Sequence, residues 1–250
     1  MKIAVISDLH GNLVCYPSDY WKHLWECEAL FICGDTFPLH IQFDIPKCRG
    51  WLMKEFIPWA TELPVEKVYI IGGNHDAYFE RNEKEARKLL PEQGKITYVK
   101  NNLVEHVSIQ DGDTYRIFGT PYCHIYGEWP FMRSEIKLRE LFNELPEDVD
   151  ILFTHDAPFG VSDVCFQGWA ADGGHKGCKA LRDAILERKP RYCFHGHLHS
   201  SNHEEELLGE TKVYNTSILD ERYLIMYEPL IIRICKTENS PSISEDGISE

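Results

Sequence analysis

The chain has no Cys-x-x-Cys pair, no dense tract of Lys and Arg, no internal repeat, and no apolar run approaching the roughly 18 residues that a membrane span requires. Each absence removes a class. Its nine cysteines are odd in number, scattered and often inside apolar runs, so they read as small buried hydrophobes of a reducing compartment rather than a disulfide framework. Cations are scarce: 26 Lys and Arg stand against 40 Asp and Glu, a formal charge of −14. That balance repels a long polyanion and argues against duplex nucleic acid as a partner. Met1 leads straight into an apolar run without a leader pattern, so the expected location is the cytoplasm, away from membranes.

What is present is a chain of 250 residues with 43% hydrophobic content, enough for one large core. One domain over residues 1–235 is the economical reading. From Lys236 onward Ser, Glu, Asp, Asn and Gly dominate, and residues 236–250 are expected to form a disordered tail, since nothing there repays the entropy of ordering.

Five short polar clusters organise the rest: Asp8-Leu9-His10, Gly34-Asp35, Gly73-Asn74-His75-Asp76, Thr154-His155-Asp156 and Gly196-His197-Leu198-His199. Each follows an apolar run too short for a helix and rich in branched or aromatic residues, which predicts five buried strands. In open sheets covered by helices, ligands bind beyond the carboxyl ends of the strands, so the five clusters are expected to share one site. Between them, helical patterns are read at Ser18 to Cys27, Gly50 to Thr61, Arg81 to Leu90, Ser134 to Leu145 and Lys179 to Arg188. Ile96 to Val99, Val104 to Ile109 and Tyr115 to Phe118 read as strands of a second sheet. Lys212 to Asn215 and a hairpin of Tyr223 to Tyr227 with Leu230 to Cys235 close the chain.

These residue types suit a pair of divalent cations. Such a centre needs hard oxygen ligands and imidazoles on each ion, with one carboxylate shared between ions roughly 3.5–4 Å apart. Asp8 and His10, two apart, would point to one side of an extended chain and clasp one ion. Asp35, with two oxygens, suits the bridge. Asn74 adds a neutral oxygen, and His155, His197 and His199 complete the shells. Imidazole and carboxylate mixtures accept Mn, Fe, Zn, Co or Ni, and Mn is the expected metal.

The order Asp-x-His, Gly-Asp, Gly-Asn-His-Asp, His, Gly-His-x-His resembles the calcineurin-like metallophosphoesterases from Lys2 to about Tyr227. The resemblance implies an α/β fold, an αββα sandwich of two mixed sheets flanked by helices. It implies that Asp8, His10, Asp35 and His199 hold one metal and Asp35, Asn74, His155 and His197 the other. A bridging hydroxide would then attack phosphorus, while His75, free of metal, stabilises charge or protonates the leaving oxygen. Gly119 to Tyr122, Trp129 to Arg133 and Asn215 to Ile218 resemble the metallophosphodomain-containing branch of small phosphodiesterases. Protein phosphatases of the family follow Gly-Asp with an Asp-Arg pair; here Thr36-Phe37-Pro38 stands instead, which disfavours that activity and leaves Asp76 or His40 to orient His75.

The expected function is hydrolysis of a small phosphodiester, a cyclic nucleotide or nucleic-acid fragment, with His75 and Asp76 catalytic. A phosphomonoesterase, or a non-catalytic nucleotide- or partner-binding scaffold, is the alternative. Arg133 and Lys176 are candidate phosphate clamps. Aromatic residues at Tyr122 to Phe131 and Phe159 to Lys176, including Trp169, read as loop packing ahead of a nucleobase platform. Gly11-Asn12 reads as a turn, Asp156 is balanced between capping and function, and Glu204-Glu205-Glu206 reads as a solvated face.

Overall fold

A computed structural model describes residues 1–166 and 172–236. Trp169, and the expected tail from residue 237 onward, lie outside them. Strands in chain order are β1 (Lys2–Ile6), β2 (Ala29–Ile32), β3 (Lys67–Ile70), β4 (Ile96–Tyr98), β5 (Asn102–Val107), β6 (Thr114–Thr120), β7 (Cys123–His124), β8 (Met132–Arg133), β9 (Ile151–Thr154), β10 (Tyr192–His195), β11 (Glu206–Leu208), β12 (Thr211–Asn215) and β13 (Leu230–Arg233). Helices are α1 (Ile45–Trp51), α2 (Ile57–Glu62), α3 (Ala77–Arg81), α4 (Glu83–Leu89), α5 (Glu135–Phe142) and α6 (Lys179–Arg188).

Two mixed sheets carry the site. The first has the order β13-β1-β2-β3-β4 and the second β11-β12-β10-β9-β6-β5. In each, the central strands are parallel and the flanking β13, β11 and β5 antiparallel. The period of two in each strand decides which face packs where. Ile3 and Val5 of β1, Phe31 of β2, Ile151 and Phe153 of β9 and Phe194 of β10 meet in one buried cluster between the sheets. Their alternate neighbours Ala4, Ile6, Leu30, Ile32, Leu152 and Cys193 join a second cluster under the helices. Both faces of the central strands are therefore apolar, which is why they appear in sequence as unbroken runs. Each fully buried large side chain contributes about 1.5–3 kcal/mol.

Local chemistry adjusts several expected boundaries. Ser18 to Cys27 forms two short 3-10 turns, Asp19–Trp21 and Leu24–Glu26, in place of one helix. The helix expected from Gly50 starts earlier, at Ile45, because the Asp44 side chain accepts the Lys47 N–H at 3.2 Å and Pro46 occupies the first turn. It runs through a π-helical turn, Leu52–Phe56, into α2, which has Pro58 as its second residue. The charged helix expected from Arg81 starts at Glu83 as α4, and Asn82 separates it from a short preceding helix, α3. β4 belongs to the first sheet, so only β5 and β6 of the three middle strands build the second. The final hairpin does not form: β13 pairs antiparallel with β1, and Ile225 bridges Leu219 instead. All nine cysteines are free thiols, with Cys15 and Cys235 exposed and the others buried. Among the described residues no helix is long and apolar enough to cross a membrane.

Candidate metal centre

Parallel strands place their ends together. β1, β2 and β3 are adjacent in one sheet and β9 and β10 in the other. Asp8 follows β1, Asp35 follows β2, Asn74 and His75 follow β3, His155 follows β9, and His197 and His199 follow β10. The five clusters thus converge on one edge of the sandwich.

Backbone torsion aims the side chains. Asp8, His10, Asp35 and His197 take left-handed φ values of 58°, 43°, 50° and 70°. Such non-glycine positions cost about 1–3 kcal/mol each and persist only where the surroundings fix them. Here Asp8 N–H donates to Gly34 O at 3.1 Å and His10 N–H to Asp35 O at 2.8 Å. Glycine makes room at two points: a Cβ on Gly73 would overlap Asp35 Oδ1, and one on Gly196 would overlap Ser7 Oγ and Asp8 Oδ2.

Two groups of ligand-type atoms result, Asp8 with His10 and His199, and Asp35 with His155 and His197, each within 4.8 Å. Asp35 joins them, its Oδ2 lying 3.6 Å from His10 Nε2 and 3.3 Å from His155 Nε2. Asn74 Oδ1 is 2.9 Å from His155 Nε2, and Asp8 Oδ1 is 3.5 Å from His199 Nε2. The other ring nitrogens are committed: His155 Nδ1 donates to Cys33 O at 2.8 Å and His199 Nδ1 to Asp220 O at 3.1 Å. In the neutral rings each Nε2 lone pair then faces carboxylate or amide oxygen, acceptor against acceptor. A cation completes that arrangement, and these second hydrogen bonds orient the rings for it.

Electrostatics agree. Burial opposes charge on Asp8 and Asp35, yet His199 beside the first and His155 beside the second hold both carboxyls below their ordinary range. Against the pull of burial, Asp35 keeps His155 up at about 10 and Asp8 keeps His199 up at about 9. Burial takes His10 and His197 down to about 4, leaving neutral rings. The carboxylate pair thus draws positive charge into a buried space, and protons supply it where cations do not.

His75 lies beside this centre, its Nε2 3.9 Å from Asp35 Oδ2 and its N–H donating to Asp35 Oδ1 at 2.8 Å. Its Nδ1 meets neither of the expected partners but Gln42 Oε1, at 2.5 Å. Asp76 turns away: its carboxylate accepts the N–H groups of Thr36 (2.9 Å), Phe37 (3.1 Å) and Gly73 (2.8 Å), clamping the Asp35 loop to the Asn74 loop. Burial and the nearby Asp35 charge push Asp76 up from its ordinary value, while the Phe37 and Gly73 N–H groups favour its charged form. Its place is structural support for two loops of the centre, which corrects the expectation of a catalytic Asp76.

A cavity of about 340 Å³ opens over the centre, framed by Tyr126, Trp129 and Tyr223. Trp129 rests on His75, ring centres 4.7 Å apart, and stacks on Phe43 at 5.8 Å. Tyr223, at a left-handed φ of 61°, meets His10 and His199 edge-on at 5.0 and 5.4 Å. Among the described residues no Lys or Arg lines this cavity. Arg133 is paired with Glu80 at 3.0 Å and Lys176 with Asp172 at 2.7 Å, so the expected clamps are spent elsewhere. The aromatic segment divides, Tyr122 and Phe131 joining the core while Trp129 enters the site. Gly11-Asn12 turns the chain, with the Asn12 side chain donating to Leu9 O at 2.9 Å. Asp156 accepts from His124 N–H at 2.9 Å and faces its Nδ1 at 2.8 Å. Glu206 is engaged by Ser162 rather than wholly solvated. Gln42 and Tyr223 had no sequence signal, because their partners are distant in the chain.

Buried carboxylates and imidazoles at the carboxyl edge of a double-sheet sandwich form two groups able to hold metal ions. The chain belongs to the calcineurin-like phosphoesterase family, whose sequence pattern matches residues 1–201. It is 28% identical to human metallophosphoesterase domain-containing protein 1, over 96% of this chain and 72% of that protein. A UPF0046 protein of Caenorhabditis elegans is 29% identical over 69% of this chain, which spans 63% of its length. In fold it resembles TT1561 of Thermus thermophilus (TM-score 0.58, 16% identity, 86% and 88% of the two chains). It also resembles a dimetal phosphatase of Danio rerio (TM-score 0.50, 12% identity, 94% and 99%).

Proposed function

We propose that this protein hydrolyses a small phosphodiester, using two divalent cations, Mn²⁺ foremost. Asp8, His10, Asp35 and His199 would hold one and Asp35, Asn74, His155 and His197 the other. Bound there, the cations would polarise the phosphoryl oxygens and acidify water into a nucleophile. The dimetal phosphatase of similar fold is consistent with a pair rather than a single ion.

The chain's own groups set the rest. Gln42 Oε1 can only accept, so His75 carries its proton on Nδ1 and exchanges a proton at Nε2, the nitrogen turned toward the centre. In its protonated form that Nε2–H can meet the developing charge on the leaving oxygen. Trp129 and Tyr126 give the leaving group an apolar, aromatic wall that excludes water.

The observation carrying the choice of diester is the absence of Lys and Arg from the cavity lining among the described residues. A monoester arrives as a dianion and a diester as a monoanion. With Asp8, Asp35 and Glu221 nearby and no Lys or Arg among the described lining residues, the second negative charge of a monoester has only the metals and the site's imidazoles to meet it. A cyclic nucleotide or nucleic-acid fragment fits this class, and the free buried thiols suit a cytoplasmic setting. With Mn²⁺ present, bis-p-nitrophenyl phosphate is the expected substrate over p-nitrophenyl phosphate, with turnover lost in His75→Ala while metal is retained. Preference for the monoester would instead make the protein a phosphatase, and silence on every ester a binding scaffold.

A further inference from the structure

A second cavity, about 520 Å³, lies against the first and shares two of its walls, His10 and Tyr223. Its remaining lining comes from a different part of the chain. Gly11 and Asn12 follow the first motif, Pro38, Leu39 and His40 follow Asp35, and Trp51 and Glu55 face it from the helical segment. Trp51 and Glu55 are four apart, at the end of α1 and within the π-helical turn that follows. Such turns occur mostly as single insertions and frequently at functional sites. Tyr223 stands between the two spaces on a strained backbone, held by a loop in which Asp220 Oδ1 accepts the Arg222 and Leu224 N–H groups at 2.9 and 3.0 Å.

We propose that this second cavity binds the retained substituent of an acyclic phosphodiester, and that the group it takes is uncharged or cationic. The proposal rests on the diesterase reading and narrows it. His75 and Trp129 line only the first cavity, so the leaving group belongs there. The phosphorus lies over the centre that His10 borders, and the other ester arm then extends past Tyr223 into the second space. A cyclic diester has both ester oxygens on one sugar and leaves that space empty. Among the described residues the lining contains no Lys or Arg and Glu55 is its one carboxylate, so an anionic arm is repelled and a cationic one attracted.

Three p-nitrophenyl phosphodiesters that differ only in the retained arm test this with the leaving group held constant. With the Mn²⁺-loaded protein, the choline ester is expected to show a KM about fivefold below the methyl ester, the upper range for an exposed ion pair. The thymidine 5′-ester is expected to fall between them. Glu55→Lys should raise the KM of the choline ester about tenfold more than that of the methyl ester. Calorimetry on the His75→Asn protein, in which turnover is blocked, should read the same order as dissociation constants. Equal KM values for choline and methyl esters, or a Glu55→Lys effect that is the same on both, overturn the subsite while leaving the diesterase reading intact. Failure to turn over any of the three overturns both.

Discussion

The side-chain oxygen of Gln42 meets Nδ1 of His75 at 2.5 Å, and the next residue, Phe43, stacks on the Trp129 ring that rests against the same imidazole. Two consecutive residues thus hold His75 from two sides, one by a hydrogen bond and one by packing. Gln42→Ala is expected to lower kcat for bis-p-nitrophenyl phosphate on the order of tenfold with little change in KM, since proton transfer by a positioned side chain contributes roughly 10²–10⁴-fold and misalignment forfeits part of it. Gln42→Glu, which keeps the acceptor, should restore most of the rate. A matched fall in metal content on elemental analysis would show instead that Gln42 only supports the fold.

Asp35 is the carboxylate that both ligand groups face. Asp35→Asn keeps the shape but removes the charge, and is expected to reduce bound metal per chain by at least half and turnover by more than about 100-fold. Elemental analysis of the purified variant, alongside kinetics in excess Mn²⁺, checks it; full metal content would refute the bridging role.

Protons and cations compete for this space. His155 and His199 have folded values of about 10 and 9, above the ordinary 6.5. A raised histidine contributes stability below the unfolded value and loses it as pH rises through the folded one. The metal-free protein should therefore melt progressively lower between about pH 6.5 and 10, whereas metal affinity should rise over the same window as the protons leave. Proton release on adding Mn²⁺ at pH 7.5 in weak buffer, near two per chain, is the direct readout. No release would mean that these rings are already neutral without metal, or that they are not the ligands.

Gly196 tolerates no side chain, because a Cβ would overlap Ser7 Oγ and Asp8 Oδ2. Gly196→Ala is expected to displace Asp8 and lower metal affinity about 10- to 100-fold, while the far end of the sandwich stays folded. Titration of metal into the apo protein, followed by circular dichroism for the fold, separates the two effects.

At the opposite end, Glu28 is buried and accepts from Ser108 Oγ at 2.8 Å and Ile109 N–H at 2.7 Å while facing His106 Nε2 at 2.8 Å. Glu28→Ala leaves those donors unpaired and is expected to destabilise by about 3 kcal/mol. Denaturant unfolding should show that loss with metal content unchanged, since none of the seven expected metal ligands takes part in these hydrogen bonds.

The strands, and the residues at their ends, were legible in the sequence because both faces of a central strand are buried and the chain must turn polar where it leaves the sheet. Asp8, His10, Asp35, Asn74, His155, His197 and His199 could be named from that alone, and parallel order predicts that they meet. What tertiary structure decided is what stands around them. Gln42 in place of His40 or Asp76, Tyr223 over His10, the pairing of Arg133 with Glu80 and of β13 with β1 all join residues far apart in the chain. A local pattern encodes which face of a strand is apolar. It does not encode which loop, arriving from another strand, comes to lie within hydrogen-bond distance, for that depends on how two twisted sheets pack and how much room their side chains leave.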